Sequence, residues 1–376
     1  MKIAFYAPLK SPDHPVPSGD RRVARALFEA LELAGHEVQL ASNFRSYDGG
    51  GDAKRQQRLA DLADRLAERL IGAYARDGKP DLWFTYHLYH KAPDRIGPRV
   101  AEALGIPYVV AEASHAEKQR GGPWGPGFET AEEAIRQARH LFTLNPTDRA
   151  GLIEAGAEAD RISDLAPFLA TEPFRMASLS RDRFRTELAR TYPLPEDKPW
   201  LLAVAMMRPG DKQASFNLLS DALALLLKED WHLLVVGDGE AREDIMANYA
   251  RLGDRVYWFG EKEGDDLAEL YAAADLYVWP AINEAFGMAF LEAQAAGLPV
   301  IAGRSGGVPS IVKDLETGIL TEPGHAPFFA QALRSLLNRP AQRRAMAEAA
   351  RRHAWSNHDI EMAAGRLDRI LSKLVA

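Results

Sequence analysis

The chain of 376 residues contains no cysteine, which excludes disulfides, thiolate metal sites and cysteine nucleophiles together. It carries no excess of positive charge. The formal net charge is −7, so a nucleic-acid partner held by bulk electrostatics is not indicated. No apolar stretch approaches the roughly 18 residues of a membrane span. The opening Met1-Lys2-Ile3-Ala4-Phe5-Tyr6-Ala7-Pro8 is too short in apolar character for a signal peptide. A cytoplasmic protein is expected, one that at most docks peripherally on the inner face of a membrane.

Hydrophobic residues make up 47% and charged residues 26%, enough apolar material for burial in a chain long enough for two domains. Short apolar runs alternate with amphipathic stretches, the pattern of parallel sheets covered by helices. In the first half the expected strands are Ile3–Ala7, Val38–Ala41, Leu82–Tyr86, Tyr108–Ala111 and Leu141–Leu144, with a helix over Arg21–Leu33 ended by Gly35. The loop after the first strand holds Pro8, Pro12, Pro15, Pro17 and Gly19. Long loops at strand carboxyl ends are where doubly wound folds place ligands. This one has no G-x-G-x-x-G, so a nicotinamide dinucleotide site is not signalled.

A second series begins at Trp200–Met206 and runs through Leu233–Val236, Val256–Phe259, Leu276–Trp279, Val300–Ala302 and Gly318–Leu320. A polar, charged stretch leads up to Pro199, and a hinge is placed near Pro167–Pro173. The domains are read as 1–168 and 174–358. The apolar face of Asp359–Leu374 (Ile360, Ala363, Leu367, Ile370, Leu371) marks a last helix.

The most informative segment is Asn-Glu-Ala-Phe-Gly-Met-Ala-Phe-Leu-Glu-Ala-Gln-Ala-Ala-Gly, with Glu284 and Glu292 eight positions apart. It reads as strand, glycine-bearing turn, helix and strand, which aims free backbone N–H groups at an anion. Glu284 sits on the loop and Glu292 about one turn into the helix, leaning toward its N-terminus. Two hydrogen-bond acceptors at such an end suit a phosphorylated molecule that also carries hydroxyls. On spacing alone, a solvated surface helix is the plainer reading.

No Asp-x-Asp pair occurs anywhere, so a metal-held phosphate is not indicated, and no metal site or cofactor is expected. Positive side chains and helix dipoles are then the groups available to neutralise a bound phosphorylated molecule. Arg208 and Lys212, on the loop after the strand ending at Met207, are the candidates; a solvent-facing loop pair is the alternative. Gly287 lets the backbone approach a ligand closely. The glycines of Gly237-Asp238-Gly239 permit a tight turn, with Asp238 read as a helix cap. Ser305-Gly306-Gly307 is either a ligand loop or a plain strand–helix turn.

The Glu284–Glu292 segment resembles the E-x7-E signature of retaining glycosyltransferases of the GT-B fold, family 4 type. Gly237-Asp238-Gly239, Ser305-Gly306-Gly307-Val308-Pro309 and Glu316-Thr317-Gly318-Ile319-Leu320 resemble the same family, in the same order. The likeness is close over roughly residues 200–325 and loose before them. It implies an α/β GT-B fold: two Rossmann-like domains facing across a cleft, with the C-terminal helix (359–376) returning to the N-terminal domain. It implies an enzyme that transfers a sugar from a UDP-sugar or GDP-sugar to a hydroxyl acceptor (glycan, lipid-linked sugar or small molecule) with retention and without metal.

By the same resemblance, Arg208 and Lys212 bind the diphosphate, and Phe286, Gly287 and Met288 present N–H groups to diphosphate and sugar. Glu284 holds the sugar hydroxyls and Glu292 the ribose. The base lies along Tyr257–Lys262, including Glu261. His115, just past a strand, matches a family histidine near the transferred sugar, with His87 and His90 as rivals. The loop Gly121–Pro126 reads as mobile. Transfer is expected to need the two halves to approach, by rotation near Pro167–Pro173. A GT-B epimerase or hydrolase, or a non-catalytic sugar-nucleotide sensor, are the rival readings.

Overall fold

The apolar runs form strands buried on both faces, because helices cover both sides of a parallel sheet. Tyr108–Ala113 and Leu276–Trp279 are buried at every position, where a half-exposed strand would alternate. The computed structural model describes residues 1–16, 18–284 and 287–375. They form two compact units: Met1–Ala166 with Ile360–Ala376, and Pro167–Asp359.

The first unit contains β1 (Lys2–Tyr6), β2 (Glu37–Ser42), β3 (Leu82–Leu88), β4 (Tyr108–Ala113), β5 (His140–Thr143) and β6 (Ile162–Asp164), in the order β2-β1-β3-β4-β5-β6. The second contains β7 (Trp200–Val204), β8 (His232–Val236), β9 (Val256–Trp258), β10 (Leu276–Trp279), β11 (Val300–Gly303) and β12 (Gly318–Thr321), in the order β12-β11-β10-β7-β8-β9. The strand pairs are parallel in both. Each unit is Rossmann-like. In each, the first strand lies between neighbours reached by crossovers in opposite directions. That reversal opens a crevice at the strand carboxyl ends, between β1 and β3 in one unit and between β7 and β10 in the other.

The expected strands appear with ends shifted by a residue or two. The helix over 21–33 begins earlier, at Gly19, because Ser18 caps it by accepting from the Arg21 N–H. Among the elements not foreseen are β6, the 25-residue helix Ala53–Asp77, and the helices Glu172–Leu179 and Arg181–Thr191 inside the charged stretch before Pro199. The long helix buries only Gln56, Ala63 and Ala67, so its apolar stripe is too thin to read. Its start is a local device: the Asp52 carboxylate accepts from the N–H groups of Lys54 and Arg55 at 2.8 and 3.1 Å. The last helix, Ile360–Val375, packs on Gly19–Leu33 through Ile360, Ala363, Ala364, Leu367 and Leu371. Among the described residues, no helix is long and apolar enough to cross a membrane.

The two ends of the second unit are tied together. Leu169 N–H donates to the His358 carbonyl at 3.0 Å, and Leu169 bridges Asp359. His358 Nδ1 lies 2.7 Å from the Pro167 carbonyl, His358 Nε2 lies 3.2 Å from His353 Nε2, and Asn357 Nδ2 lies 3.1 Å from His353 Nδ1. The partners assign the protons. A carbonyl only accepts, so His358 carries its proton on Nδ1 and accepts on Nε2; His353 donates from Nε2 and accepts on Nδ1. Both rings are therefore neutral, and protonating either would set two N–H groups against each other.

Burial, the neighbouring His358 and Lys313 push His353 down to about 4, and burial pushes His358 down as well. The unfolded chain binds protons near the ordinary histidine value of roughly 6.5, so stability is intact above that pH and declines as pH falls toward 4. The melting temperature is expected to fall across this window. His353→Gln should flatten the decline; an identical pH slope would show that the pair does not control it.

Candidate active site

In the second unit the crevice between β7 and β10 collects the charged groups. Arg208 stands on the loop after β7, and Lys212 is the second residue of the helix Asp211–Ala224 that follows. The Arg208 loop is pinned by backbone bonds: Met207 N–H to the Asp238 carbonyl and Ala241 N–H to the Met207 carbonyl, both 2.9 Å. Arg208 is exposed, and its guanidinium has no ion pair among the described residues. Lys212 Nζ lies 2.5 Å from Glu284 Oε2, and Trp279 Nε1 donates to the same oxygen at 3.2 Å. The ammonium also stands 5.5 Å from the Trp279 ring centroid. An ammonium has three donors, so two remain for an anion once Glu284 is held.

Glu284 is delivered by a strained loop. Ala281 and Asn283 have φ of 58° and 51° without being glycine, each at a cost of about 1–3 kcal/mol that surrounding contacts must hold. Those contacts come from the Lys212 helix: Ile282 N–H donates to Ser215 Oγ, and Asn283 Nδ2 to Asp211 Oδ1, both at 3.0 Å. Lys212 and Glu284 are thereby set by one rigid element.

Ala285 and Phe286 lie outside the described residues, as does Pro17. Gly287 has φ of 73°, and a Cβ there would sit 2.3 Å from the Phe290 ring and 3.3 Å from Glu284 Cγ. It precedes the helix Met288–Ala295, of which Met288 is the first residue. Gly287→Ala is expected to destabilise the second unit by roughly 1–3 kcal/mol from backbone strain, with the ring contact adding to it. A denaturation midpoint equal to the parent's would contradict this.

Glu292 is not a solvated surface residue. It is 7% exposed, and the Tyr271 hydroxyl lies 2.8 Å from its Oε2. Tyr271 was not singled out from the sequence. It lies on the buried face of the helix Gly264–Ala273, among Leu267, Ala268 and Leu270, where nothing distinguishes it from core.

Gly237 serves the backbone: its N–H donates to the Gly260 carbonyl at 2.7 Å, and a Cβ would meet the Ala205 carbonyl at 1.9 Å. Asp238 is not a helix cap, contrary to expectation. Ala241 occupies that position, and Asp238 instead accepts from the Gly239 N–H and pairs with Arg242 at 2.8 Å. Glu261 is exposed just beyond the end of β9.

In the first unit the His115 side chain is 1% exposed. Its Nε2 lies 3.3 Å from Glu132 and 3.7 Å from Glu117, and its ring packs against Phe128 at 4.9 Å. These three groups lie close enough to share a cation, but Arg120 already bonds both carboxylates, at 2.5 Å to Glu117 and 2.7 Å to Glu132. The loop over 121–126 is anchored rather than mobile. Trp124 Nε1 donates to the Asp48 carbonyl and Gln56 Nε2 to the Pro123 carbonyl, both at 2.8 Å.

His87 and Glu112 carry a different signal. Both are non-glycine residues in the left-handed region, with φ of 59° and 60°, at about 1–3 kcal/mol each. The register pairs Tyr86 with Ala111 and Leu88 with Ala113, so the two kinks stand side by side on β3 and β4. His87 Nδ1 lies 3.3 Å from Asp20 Oδ1 and 3.9 Å from Glu112 Oε1. Burial pushes the imidazole down, but Glu112 and Asp20 outweigh it and hold the ring above its ordinary value. Burial pushes the Glu112 carboxyl up, with His87 opposing. Burial also acts upward on Asp20, yet His87 and Lys10 bring it below its usual value. Asp20 and Glu112 were not foreseen; a left-handed backbone at histidine or glutamate leaves no mark in a sequence.

Comparison with known proteins follows this geometry. The family described as Glycosyl transferases group 1 matches residues 184–353. The D-inositol 3-phosphate glycosyltransferase of Streptosporangium roseum is 30% identical over 77% of this chain and 70% of its own length. That of Salinispora tropica is 31% identical over 71% of this chain, which spans only 59% of that relative's length. Among solved structures, sucrose-phosphate synthase from Thermosynechococcus elongatus superposes with a TM-score of 0.76 at 22% identity, covering 99% of this chain and 98% of its own. Anabaena HepE in complex with UDP gives 0.75 at 18% identity, over 99% and 100%. The fold is that of GT-B glycosyltransferases, and the chain belongs to the group 1 glycosyl transferases.

Proposed function

We propose that the chain is a retaining glycosyltransferase of the family 4 type, moving a sugar from a nucleoside-diphosphate sugar to a hydroxyl without a metal ion. The observation that carries this reading is the Lys212–Glu284 pair at the reversal of the second sheet, one helix start away from Glu292. A cation next to a helix N-terminus is favourable only when an anion shares the place. Lys212 and Arg208 are the groups for a diphosphate, Glu284 for sugar hydroxyls and Glu292 for the ribose. Gly287, Met288, Gly237 and Glu261 border the same strand ends, on the side of diphosphate and base. Anabaena HepE has been solved with UDP-glucose, which makes that the first donor to test and GDP-sugars the second.

The second unit is the donor domain in this reading and the first unit the acceptor domain. The bond from the anomeric carbon to the diphosphate breaks as the acceptor oxygen bonds to the same face. The acceptor proton passes to the departing phosphate oxygen. Carboxylates here hold hydroxyls rather than acting as the acid–base pair of a hydrolase. The names of the relatives make an inositol phosphate one acceptor to try; glycans and lipid-linked sugars, met peripherally at a membrane, are others.

Turnover of UDP-glucose with an acceptor panel in excess chelator tests the whole proposal. The expected result is a glycoside of unchanged anomeric configuration, formed at the same rate as with added magnesium or manganese. Complete loss with chelator and rescue by metal would overturn the leaving-group chemistry. Conversion of the donor with no acceptor would point to an epimerase or hydrolase instead.

A further inference from the structure

The first unit repeats the chain path that builds the Lys212–Glu284 pair, with the charges exchanged. Lys212 is the second residue of the helix after the first strand of its unit, and Asp20 is the second residue of the corresponding helix Gly19–Leu33. Glu284 follows the strand across the reversal from β7, and His87 is the next-to-last residue of the strand across the reversal from β1. Lys212 meets Glu284 at 2.5 Å, and Asp20 stands 3.3 Å from His87. Crevices at such reversals are where open parallel sheets bind ligands.

Two further observations mark this crevice as built for a ligand. The paired left-handed kinks at His87 and Glu112 are held against their own strain. Glu112 is 6% exposed; the Tyr86 hydroxyl acts on its carboxyl, but its Oε2 has no hydrogen-bond partner of good geometry among the described residues. A buried carboxylate oxygen left unpaired is a strong acceptor that wants a donor.

The charge around it selects the donor. Asp20, Glu112 and Asp148 all act on His87, and Lys10 acts on Asp20. Three neighbouring cations, two on the helix Gly19–Leu33 and one on the loop after β2, are turned elsewhere: Arg21 toward the His14 and Pro15 carbonyls, Arg25 to Pro12 and Arg45 to Leu9. Carboxylates so arranged accept hydrogen bonds from hydroxyls and repel a phosphate ester.

We propose that Asp20, His87 and Glu112 form the acceptor site of the first unit, and that it takes a polyhydroxyl compound, a sugar or cyclitol, with no phosphate where it docks. Asp20 and Glu112 accept from its hydroxyls, and His87 positions both carboxylates. Calling this ligand an acceptor rests on the glycosyltransferase reading; its binding does not.

The test uses the full chain labelled with 15N-histidine, the His87 ring signal being assigned by its loss in His87→Gln. Matched probes are added with and without saturating UDP: myo-inositol against its 3-phosphate, and glucose against glucose 6-phosphate. The His87 signal should respond to the unphosphorylated member of at least one pair at roughly tenfold lower concentration than to its ester. Asp20→Asn or Glu112→Gln should weaken that response about tenfold or more. A stronger response to the esters, or no response to any of the four probes, overturns the proposal. Calorimetry with UDP on the same sample keeps the two readings apart. Failure of UDP to bind sinks the donor assignment alone, while the histidine signal still reports on the first unit.

Discussion

Lys212→Ala is expected to lower turnover of a nucleotide-sugar by about two orders of magnitude while leaving the fold intact. The substitution removes the cation nearest the place of the leaving diphosphate. It also leaves Glu284, 14% exposed, with Trp279 Nε1 as its remaining close donor among the described residues. A hydrogen bond to a charged group is worth about 1.5–3 kcal/mol. Where that bond is made to the charge developing on the leaving diphosphate, its upper end is roughly a hundredfold in rate. Initial rates with UDP-glucose, alongside circular dichroism of the variant, measure it. Turnover within about threefold of the parent would remove Lys212 from the leaving-group machinery.

Glu292→Ala should weaken UDP binding by roughly ten- to hundredfold, the worth of a lost hydrogen bond to a charged group at about 1.5–3 kcal/mol. Its burial makes a competing account concrete: Glu292 as no more than the core partner of Tyr271. The two differ in what else changes. A core partner predicts an earlier melt with normal UDP affinity, because the Tyr271 hydroxyl loses its contact with Glu292 at 2.8 Å and keeps the Ala289 carbonyl at 3.3 Å. A ribose ligand predicts weaker UDP binding beyond any change in melting. Tyr271→Phe separates them further: it removes the internal bond, keeps the carboxylate, and should retain most of the affinity.

The sheets were legible because parallel strands buried on both faces must be written as unbroken apolar runs, and Leu276–Trp279 has the very bounds its sequence suggests. The helix Ala53–Asp77 was not, because it buries little more than a thin alanine stripe under a charged surface. The placement of Glu284 beside Lys212 is long-range in the chain, 72 residues apart, and no local spacing predicts such a distance. Turn glycines such as Gly287 announced their position. The strained Ala281, Asn283, His87 and Glu112 did not, because their backbone is imposed by neighbours rather than by their own side chains. His115 was chosen for its place after a strand, but its ring is packed among Phe128, Glu117 and Glu132. His87, its rival from the sequence, lies on β3, one strand nearer the reversal than the β4 that His115 follows.

The central claim is that the reversal of the second sheet holds a nucleoside diphosphate without metal. Calorimetric titration of UDP into the chain in excess chelator tests it most directly. One molecule of UDP should bind per chain, with the affinity unchanged by added magnesium and reduced at least tenfold in both Lys212→Ala and Glu292→Ala. Absence of binding to the parent by either UDP or GDP, or equal affinity in all three proteins, would contradict it.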